Sequence, residues 1–306
     1  MAQRYVIGID GGGTATRVLI LDERGRELAR GSGGPALSDD VSRPVDVSAV
    51  VVAVEQARRG AGLEPPAAAL CAGLAGVGRP PERQAVTREL SDCNLAERVR
   101  VVSDVEAGFH DAFAEGPGLL LIAGTGSIAL GRASDGRERR VGGWGALLGD
   151  DGGAYDIGCK ALRAAVRAAD GRALPTELLP ALLQRLDLDE PELLIGWSRA
   201  ARKLEIAALA PLIIAVAAAG DQTAGTIIAA AVSALGDHVA ALLDVLAPWS
   251  EPPPLALAGG LLAPGGPLRL QLLEALGRYS CRPVGTTLDA ARGAAQLALS
   301  ELAGGG

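Results

Sequence analysis

The chain has 306 residues, a formal net charge of −7 and an apolar content of 49%, of which little is aromatic. This length predicts two domains of ordinary size, with cores built mainly from Ala, Leu, Val and Ile. The negative charge and the lack of a dense basic cluster argue against nucleic acid or an anionic membrane as partner, and they favour small molecules.

The cysteine pattern and the N-terminus predict a cytoplasmic protein. Four cysteines lie far apart, without CxxC spacing or a histidine cluster: Cys71, Cys93, Cys159 and Cys281. Such scattered residues are typical of reduced thiols. A strand-like stretch begins within a few residues of the N-terminus, which leaves no room for a signal peptide. The most membrane-like run, residues 206–220, is too short for a span and contains Pro211, so we expect a buried helix.

The first predicted element is the strand in "YVIGIDGGGT", residues 5–14, which ends in a carboxylate, three glycines and a threonine: Asp10, Gly11, Gly12, Gly13 and Thr14. Glycines let backbone N–H groups approach an anion closely. A dinucleotide-binding fingerprint would need a helix next, but residues 14–22 are strand-like. The Gly-Lys-Ser/Thr ending of a P-loop is also absent from the chain. The stretch is therefore predicted to form a β-hairpin with a glycine-rich turn.

Asp10 stands at the tip of this predicted turn. A carboxylate there would repel phosphate unless a cation lay between them, so Asp10 is a candidate ligand of Mg²⁺, directly or through water. The alternative is that Asp10 caps its own turn through its side chain. Residues 5–14 alone favour neither interpretation.

Strand-like and helical patterns then alternate. We predict a helix at about 46–60, a buried strand entering a glycine-rich loop within 68–78, and a helix over 80–92. A strand over 99–102 stops at Ser103 and Asp104, directly before another helix. This alternation is typical of a layered α/β domain.

Residues 120–139 repeat the opening hairpin, with a strand, a glycine-hydroxyl turn, a second strand and a charged turn. The repeated turn contains Gly124, Thr125, Gly126 and Ser127. Two copies that begin successive domains could face each other across a cleft and bind one polyphosphate. A duplicated hairpin with a purely structural role is the less favoured alternative. Ala123 takes the place of Asp10, so only one copy offers a carboxylate, which favours the Mg²⁺ interpretation of Asp10.

A second glycine-rich loop follows within residues 141–153. Trp144, between Gly143 and Gly145, could form a wall for a flat ligand such as a sugar ring, or anchor the loop in a core. Asp150 and Asp151 precede a helix predicted from about residue 154. We expect one carboxylate to accept hydrogen bonds from ligand hydroxyls and the other to cap the helix.

Late in the chain, a buried strand within residues 254–266 enters a turn at Gly259 and Gly260, where a flat base could lie against the backbone. Residues 288–302 are rich in small side chains and predict a helix that packs closely on another element.

Taken in order, these motifs resemble the actin, Hsp70 and sugar-kinase superfamily. Within it, they are similar to the BadF/BadG/BcrA/BcrD-type ATPase family, especially its N-acetylglucosamine and glucosamine kinase branch. The resemblance covers essentially the whole chain, and the Trp-Gly loop followed by Gly-Asp is its most branch-specific element. It implies an α/β fold with two ribonuclease-H-like domains around a nucleotide and sugar cleft. Residues 1–116 would form the first domain and 117–287 the second, with a helical insertion, while helix 288–303 would pack on the first.

The resemblance also implies an enzyme, an ATP-dependent kinase that phosphorylates a hydroxyl, expected to be the 6-OH, of N-acetylglucosamine or glucosamine. ATP and Mg²⁺ would be the cofactors, and homodimers are frequent in the family. Asp10 would position Mg²⁺, and Asp104 would be the catalytic base that accepts the proton of the sugar hydroxyl. The alternative role of Asp104 is a helix N-cap. One aspartate per role suffices, because phosphoryl transfer depends mainly on alignment and charge.

The remaining implied contacts fall into two groups. ATP would be bound by both hairpins and by the late turn, through Gly11, Gly12, Gly13, Thr14, Gly124, Thr125, Gly126, Ser127, Gly259 and Gly260. The sugar would meet Asp104, Gly143, Trp144, Gly145 and Asp150. His110 and His238 are predicted to be ordinary helix residues rather than ligands.

Two departures from the family pattern concern the sugar. The asparagine that commonly contacts the acetamido sugar is absent from residues 34–40, and the usual Gly-Asp-Glu-Gly is Gly-Asp-Asp-Gly at 149–152. Asp39 and Asp40 could instead pair with an amino group. Two other function classes stay open: an ATPase switch of the type that activates 2-hydroxyacyl-CoA dehydratases, and a non-catalytic sugar sensor. The cysteines lack the pairing that such an activator needs for an iron–sulfur cluster.

Overall fold

The computed structural model describes residues 4–38, 45–285 and 287–303. The chain divides into two compact units, one made of Met1–Gly116 with Leu288–Gly306 and the other of Pro117–Thr287. The second unit is continuous in sequence, whereas the first is completed by the end of the chain.

Before the chain enters the second unit, the first unit contains, in chain order, β1 (Tyr5–Gly11), β2 (Thr16–Asp22), β3 (Glu27–Gly33), α1 (Val47–Gly60), β4 (Ala69–Leu74), α2 (Pro80–Asp92), β5 (Val99–Ser103) and α3 (Asp104–Phe113). The second unit contains β6 (Gly118–Ala123), β7 (Ser127–Arg132), β8 (Glu138–Gly142), α4 (Ala154–Ala169), α5 (Leu178–Leu186), α6 (Leu193–Ala200), α7 (Lys203–Ala207), α8 (Ala210–Ala218), α9 (Gln222–Val245), β9 (Pro254–Ala258), α10 (Arg269–Leu276) and β10 (Arg282–Pro283). The last helix, α11 (Ala290–Ala303), belongs to the first unit.

The first unit has a five-stranded sheet in the order β3-β2-β1-β4-β5. The first three strands are antiparallel, as consecutive hairpins require, while β4 and β5 run parallel to β1 because helices connect them. The register aligns Gly11 with Leu74 and Leu74 with Ser103, so β1, β4 and β5 end at the same edge. Asp10 and Asp104 are thereby placed at the carboxyl edge of one sheet.

Helices cover both faces of this sheet. On one face, apolar residues of the strands pack with those of α1 and α2; on the other they pack with α3 and α11. The approach of α11 depends on small residues, since a Cβ on Gly8 would lie 2.2 Å from the Ala291 carbonyl oxygen. A Cβ on Gly293 would lie 2.0 Å from the Ala107 carbonyl oxygen. The small-residue pattern at 288–302 is thus explained by close packing on β1 and α3.

A buried carboxylate fixes the point where the chain returns to the first unit. Asp111 on α3 is fully buried, and its Oδ2 accepts hydrogen bonds from the Asp289 N–H at 2.8 Å and from Arg292 Nη2 at 2.9 Å. Asp289 in turn pairs with Arg30 at 2.7 Å. Arg292 is 43% exposed, but loss of the contacts of Asp111 would leave a charge buried without a partner, which is destabilising. These contacts therefore secure the start of α11.

The second unit repeats the sheet of the first. Its order is β10-β9-β6-β7-β8, with β6, β7 and β8 antiparallel and β9 and β10 parallel to β6. β6, β7, β8, β9 and β10 therefore correspond to β1, β2, β3, β4 and β5. The internal repeat seen in the sequence is confirmed as a repeated β-hairpin that opens each sheet.

The core of the second unit is built on α9 and the helices α4, α5, α8 and α10. Judged by length and composition, α9 could cross a membrane, but half of its most apolar window is buried inside the unit. The prediction of one buried helix over 206–220 was wrong in detail, because α7 ends at Ala207 and α8 begins at Ala210. The predicted helices at 80–92 and from residue 154 are observed at those bounds.

Candidate active site

The first hairpin turn is held by backbone hydrogen bonds. The Gly12 carbonyl accepts from the N–H groups of Ala36 and Leu37, at 3.0 and 3.2 Å. Because C=O and N–H point to opposite sides of a trans peptide, the Gly13 N–H points away from residues 36–37. Thr14 is exposed, and a Cβ on Gly12 would meet nothing within 4 Å. The turn therefore offers backbone and hydroxyl donors with open space around it.

Asp10 lies opposite Arg17 in the β1–β2 register, and the two side chains pair at 3.1 Å. The Asp10 side chain is 19% exposed and that of Arg17 is 68% exposed. Burial raises the pKa of Asp10, the hydrogen bond and charge of Arg17 lower it, and the charge of Asp289 raises it further. Among the described contacts, Asp10 accepts from Arg17 rather than from a backbone N–H of its own turn, so the turn-capping alternative does not fit.

Asp104 is the first residue of α3, and it does not cap that helix. The N-cap is Ser103, which accepts from the Glu106 N–H, while Glu106 Oε2 accepts from the Ser103 N–H at 2.8 Å. Arg83 donates from Nη1 and Nη2 to the two carboxylate oxygens of Glu106, at 3.2 and 2.7 Å. This capping box satisfies the helix end. The N-cap alternative for Asp104 was therefore wrong, and its carboxylate stands at the carboxyl edge of β5.

The environment of Asp104 suits a base. Burial is the largest cause that raises its pKa, to about 6; a hydrogen bond from the Val105 N–H opposes the rise, and the charge of Asp10 adds to it. A carboxyl group with such a pKa is ionised at neutral pH yet retains proton affinity, which is the property that general-base catalysis needs. Asp10 and Asp104 therefore interact electrostatically within the first unit.

The carboxylate of Asp10 suits a metal ion that is bound mainly through the phosphates of a substrate. Within residues 4–38, 45–285 and 287–303, no group of three or more His, Cys, Asp or Glu side chains could hold an ion. Mg²⁺ is usually bound through one or two carboxylates together with substrate phosphates and water. The partly buried, acceptor-only carboxylate of Asp10 meets that requirement for one protein ligand.

The second hairpin turn is held by the N-terminus of α4. The Ala154 N–H donates to the Gly124 carbonyl at 2.9 Å, and the Tyr155 N–H donates to the Thr125 carbonyl at 3.0 Å. By the trans-peptide geometry, the N–H groups of Thr125 and Gly126 point away from α4. Backbone donors of one turn are thereby directed to one side, as an anion-binding loop requires.

A buried carboxylate paired with a partly exposed lysine lies against the same turn. Asp150 Oδ2 accepts from Lys203 Nζ at 2.6 Å, and Oδ1 lies 3.4 Å from the Ser127 backbone nitrogen. The Asp150 side chain is 7% exposed and that of Lys203 is 41% exposed. A Cβ on Gly126 would lie 2.2 Å from Asp150 Oδ1. Glycine is therefore required at 126 for the turn to rest on this carboxylate.

Ser127 and His238 are buried beside the turn. The Ser127 hydroxyl donates to the Asp151 carbonyl at 2.6 Å and lies 3.5 Å from His238 Nε2. His238 Nδ1 lies 2.7 Å from the Ala234 carbonyl oxygen, and a Cβ on Gly142 would lie 2.4 Å from Nε2. The Ser127 side chain is thus used within the protein, and its hydroxyl supports the fold of the loop.

The Trp144 loop follows β8 directly. Gly143 has a positive φ of 67° and donates its N–H to the Ser127 carbonyl at 3.0 Å. Trp144 is 60% exposed, with the Arg140 guanidinium 5.5 Å from its ring centroid, and Gly145 has a φ of 87°. The exposure excludes the core-anchor alternative for Trp144 within this structure. Its ring is available to a flat ligand.

The expectation that Asp150 or Asp151 caps α4 was wrong. The N-cap of α4 is Gly153, without a side-chain cap. Instead, Asp156 within the helix accepts from the Gly152 N–H at 2.9 Å.

The late glycine turn lies next to the second hairpin. Gly259 has a φ of 85°, and a Cβ there would lie 2.3 Å from the Ala123 carbonyl oxygen. That carbonyl accepts from the Leu261 N–H at 3.1 Å. A Cβ on Gly260 would meet nothing within 4 Å. The second unit therefore brings together residues 124–127, 143–145, 150 and 259–260, while the first brings together 10–14 and 104.

Comparison with known proteins identifies the family of the chain. Residues 7–298 match the BadF/BadG/BcrA/BcrD ATPase family. The chain belongs to that family. It is 32% identical to the N-acetylmuramic acid/N-acetylglucosamine kinase of Clostridium acetobutylicum over 85% of this chain and 86% of that protein. It is 30% identical to the N-acetyl-D-glucosamine kinase of Dictyostelium discoideum over 98% of this chain and 99% of that protein.

A solved structure gives the same result at the level of the fold. A proposed N-acetylglucosamine kinase from Chromobacterium violaceum superimposes with a TM-score of 0.81 at 31% identity, covering 96% of this chain and 99% of the other. The predicted BadF-type family and the two-domain actin-like α/β fold are therefore confirmed. Asp39 and Asp40, predicted as partners of an amino group, lie outside the described residues.

Sequence reasoning missed three residues that contact candidate site residues of their own unit: Arg17 in the first unit, and Lys203 and His238 in the second. Lys203 lies 53 positions after Asp150, on a five-residue helix with no motif around it. His238 was treated as an ordinary helix residue, and Arg17 was not singled out. For Arg17 a signal existed, because the hairpin register places it directly opposite Asp10.

Proposed function

We propose that this protein is an ATP-dependent sugar kinase, active in the cytoplasm, that transfers the γ-phosphate of ATP to a hydroxyl, the 6-OH, of N-acetylglucosamine or glucosamine. The observation that carries the proposal is Asp104. It lies at the carboxyl end of β5, is released from helix capping by Ser103 and Glu106, and has a pKa raised to about 6 by burial. The kinase names of the two relatives support the same activity.

In the proposed reaction, the Asp104 carboxylate accepts the proton of the sugar hydroxyl while the oxygen of that hydroxyl forms a bond to the γ-phosphorus. The bond from that phosphorus to the bridging oxygen breaks, and ADP leaves. The protein supplies alignment and a charged acceptor for the proton, which is most of what phosphoryl transfer needs. Protonated Asp104 then returns its proton to solvent after the phosphorylated sugar leaves.

The binding roles follow the donors of each turn. We assign Gly11, Gly12, Gly13 and Thr14 in the first unit, and Gly124, Thr125 and Gly126 in the second, to the phosphates of ATP. Ser127 supports the second turn, because its hydroxyl and its N–H bond within the loop. Gly259 and Gly260 border its adenosine. Mg²⁺ supplies charge neutralisation to the phosphates, and Asp10 is its proposed protein ligand. Gly143, Trp144, Gly145 and Asp150 are assigned to the sugar.

Pairing of two copies as a homodimer is a further proposal that sedimentation would test.

The test is ADP release from Mg-ATP with N-acetylglucosamine, glucosamine, glucose, N-acetylmannosamine or no sugar. Release that depends on one of the amino sugars, with a phosphorylated sugar detected by mass spectrometry, is the expected result. Sugar-independent release would point to an ATPase switch, and sugar binding without release would point to a sensor. Either result would overturn the proposal.

A further inference from the structure

We infer that Lys203 is a positioning residue for the nucleotide, because its ammonium group neutralises Asp150, the buried carboxylate that supports the second hairpin. The inference rests on the proposed binding of phosphates by that hairpin. Without Lys203, the hairpin would present its N–H donors to an anion with an uncompensated negative charge directly behind them.

The contacts of Asp150 connect it to the turn on one side and to Lys203 on the other. Oδ1 lies against the Gly126 backbone and 3.4 Å from the Ser127 nitrogen, while Oδ2 accepts from Lys203 at 2.6 Å. Asp150 also has a positive φ of 61°, which an aspartate tolerates better than most residues. The carboxylate therefore supports the turn, and its charge is matched by one partner.

Lys203 is brought to this place by the helical insertion. It is the first residue of α7, whose start is fixed by the hydrogen bond from the Arg202 N–H to Glu205 at 2.7 Å. α7 packs closely on α4, since a Cβ on Gly158 would lie 2.3 Å from the Ile206 carbonyl oxygen. The ammonium group also lies 5.9 Å from the centroid of the Tyr155 ring. The packing of α7 on α4 thus places Lys203 beside the second hairpin.

The electrostatic consequence has a definite sign. A carboxylate in hydrogen-bond range of a phosphate-binding turn repels the ligand, and little water intervenes to screen a side chain that is 7% exposed. Lys203 removes most of this repulsion. Its loss should weaken phosphate binding, whereas loss of both charges should restore it.

The chain offers a matched control in Lys160. It pairs with Asp156 on α4 at 2.7 Å, and its side chain is 35% exposed, close to the 41% of Lys203. Lys160→Met removes the same charge from a lysine–aspartate pair of the same unit, but Asp156 is not in contact with Gly126 or Ser127 among the described hydrogen bonds. A general change of net charge would affect both variants equally.

The experiment measures the dissociation constants of Mg-ATP and of adenosine for the purified full chain, without sugar. For Lys203→Met we expect ATP to bind about tenfold more weakly and adenosine to bind as in the wild type. Lys203→Arg and Lys160→Met should stay within about twofold for both ligands. In the double variant Lys203→Met with Asp150→Asn, ATP affinity should return to within about threefold of the wild type.

Two results would overturn the inference. If ATP and adenosine weaken together in Lys203→Met, the lysine acts by packing α7 and not by charge. If the double variant binds ATP as weakly as Lys203→Met, Asp150 is not the charge that Lys203 compensates. A wild-type protein that binds ATP but phosphorylates no sugar would refute the kinase proposal alone, because these binding constants are measured without turnover.

Discussion

The two hairpins have the same place in two sheets of the same order, yet their charges are arranged in opposite ways. The first hairpin has Asp10 at its tip and Asp104 at the same sheet edge, and burial raises the pKa of both carboxyls. In the second, Ala123 replaces Asp10, and the nearby Asp150 is matched by Lys203 at 2.6 Å. The first copy keeps two carboxyls whose pKa is raised by burial, although Asp10 pairs with the exposed Arg17 at 3.1 Å. In the second copy the buried carboxylate is paired with a lysine, and the turn offers backbone donors. The two hairpins thus share their geometry, and they differ in a few charged side chains.

The turns also differ in what fixes them. Residues 36–37 of a loop donate to the first turn, whereas the N-terminus of the 16-residue helix α4 donates to the second. The second turn additionally rests on Asp150. We therefore expect substitutions that alter shape to be costly in the second hairpin and substitutions that alter charge to be costly in the first.

The largest expected effect comes from the base of the first unit. Asp104→Asn should lower kcat about a thousandfold, because an amide cannot accept the hydroxyl proton in the transition state. ATP affinity, measured by calorimetry, should change less than about threefold, since Asp104 is not assigned to the nucleotide. Asp135→Asn, in the exposed turn between β7 and β8, is the control that should keep full turnover. A kcat reduced by less than about tenfold would remove Asp104 from the role of base.

A matched pair of glycine substitutions tests the difference in shape. Gly126→Ala places a Cβ 2.2 Å from Asp150 Oδ1, whereas Gly12→Ala meets nothing within 4 Å. We expect the first to lower the free energy of unfolding by about 3 kcal/mol and the second to change it by less than about 0.5 kcal/mol. Urea unfolding followed by circular dichroism measures both. Equal losses in the two variants would mean that the hairpins are not supported differently.

The raised pKa of Asp104 also predicts an effect on stability. In the folded protein this pKa is about 6, above that of an unfolded aspartate, so the ionised carboxylate destabilises the fold at pH 7. Asp104→Asn should therefore be more stable than the wild type at pH 7 by about 3 kcal/mol. The difference should shrink as the pH falls through 6 and vanish below about pH 4. Thermal unfolding between pH 4 and pH 8 gives the curve. A constant difference across this range would show that the gain is not due to charge.

The smallest effect concerns the coupling of the two carboxylates. The charge of Asp10 raises the pKa of Asp104, as a lesser cause than burial. Asp10→Asn should lower the pKa of Asp104, which should nevertheless stay above its ordinary value. The carboxyl ¹³C shift of Asp104, followed by NMR during a pH titration, measures this directly. Asp92→Asn, at the exposed end of α2 in the same unit, should leave that titration unchanged; a shift of equal size there would contradict a specific coupling of Asp10 to Asp104.

Local signals in the sequence were enough for much of the fold. The hairpin repeat predicted the shared topology because glycine-rich turns and alternating strands are encoded within about 20 residues, and the helix at 80–92 followed from its proline start. The sequence left a capping role for Asp104 open as the alternative, because Ser103 is an equally good N-cap one position earlier. Only the hydrogen bond between Ser103 and Glu106 distinguishes the two.

The pairing of Asp150 with Lys203 could not be predicted in the same way. It depends on how α7 packs on α4, through the contact of Gly158 with Ile206. A glycine inside a helix marks a close approach but does not name the partner. His238 is a similar case, because its distance to Ser127 follows from the packing of α9 behind β7 and β8. Sequence patterns therefore predicted the donors of the turns better than the side chains that support them.

The return of α11 to the first unit has a consequence for synthesis. Residues of α11 cover Val6, Leu19 and Cys71 on one face of the first sheet, and Asp111 has its partners at Asp289 and Arg292. A ribosome produces this helix after all of the second unit. The second unit, being continuous, can complete its core during translation, while the first must wait with one apolar face unprotected. The sheet of the first unit is therefore made before the second unit, but we expect it to be completed after it.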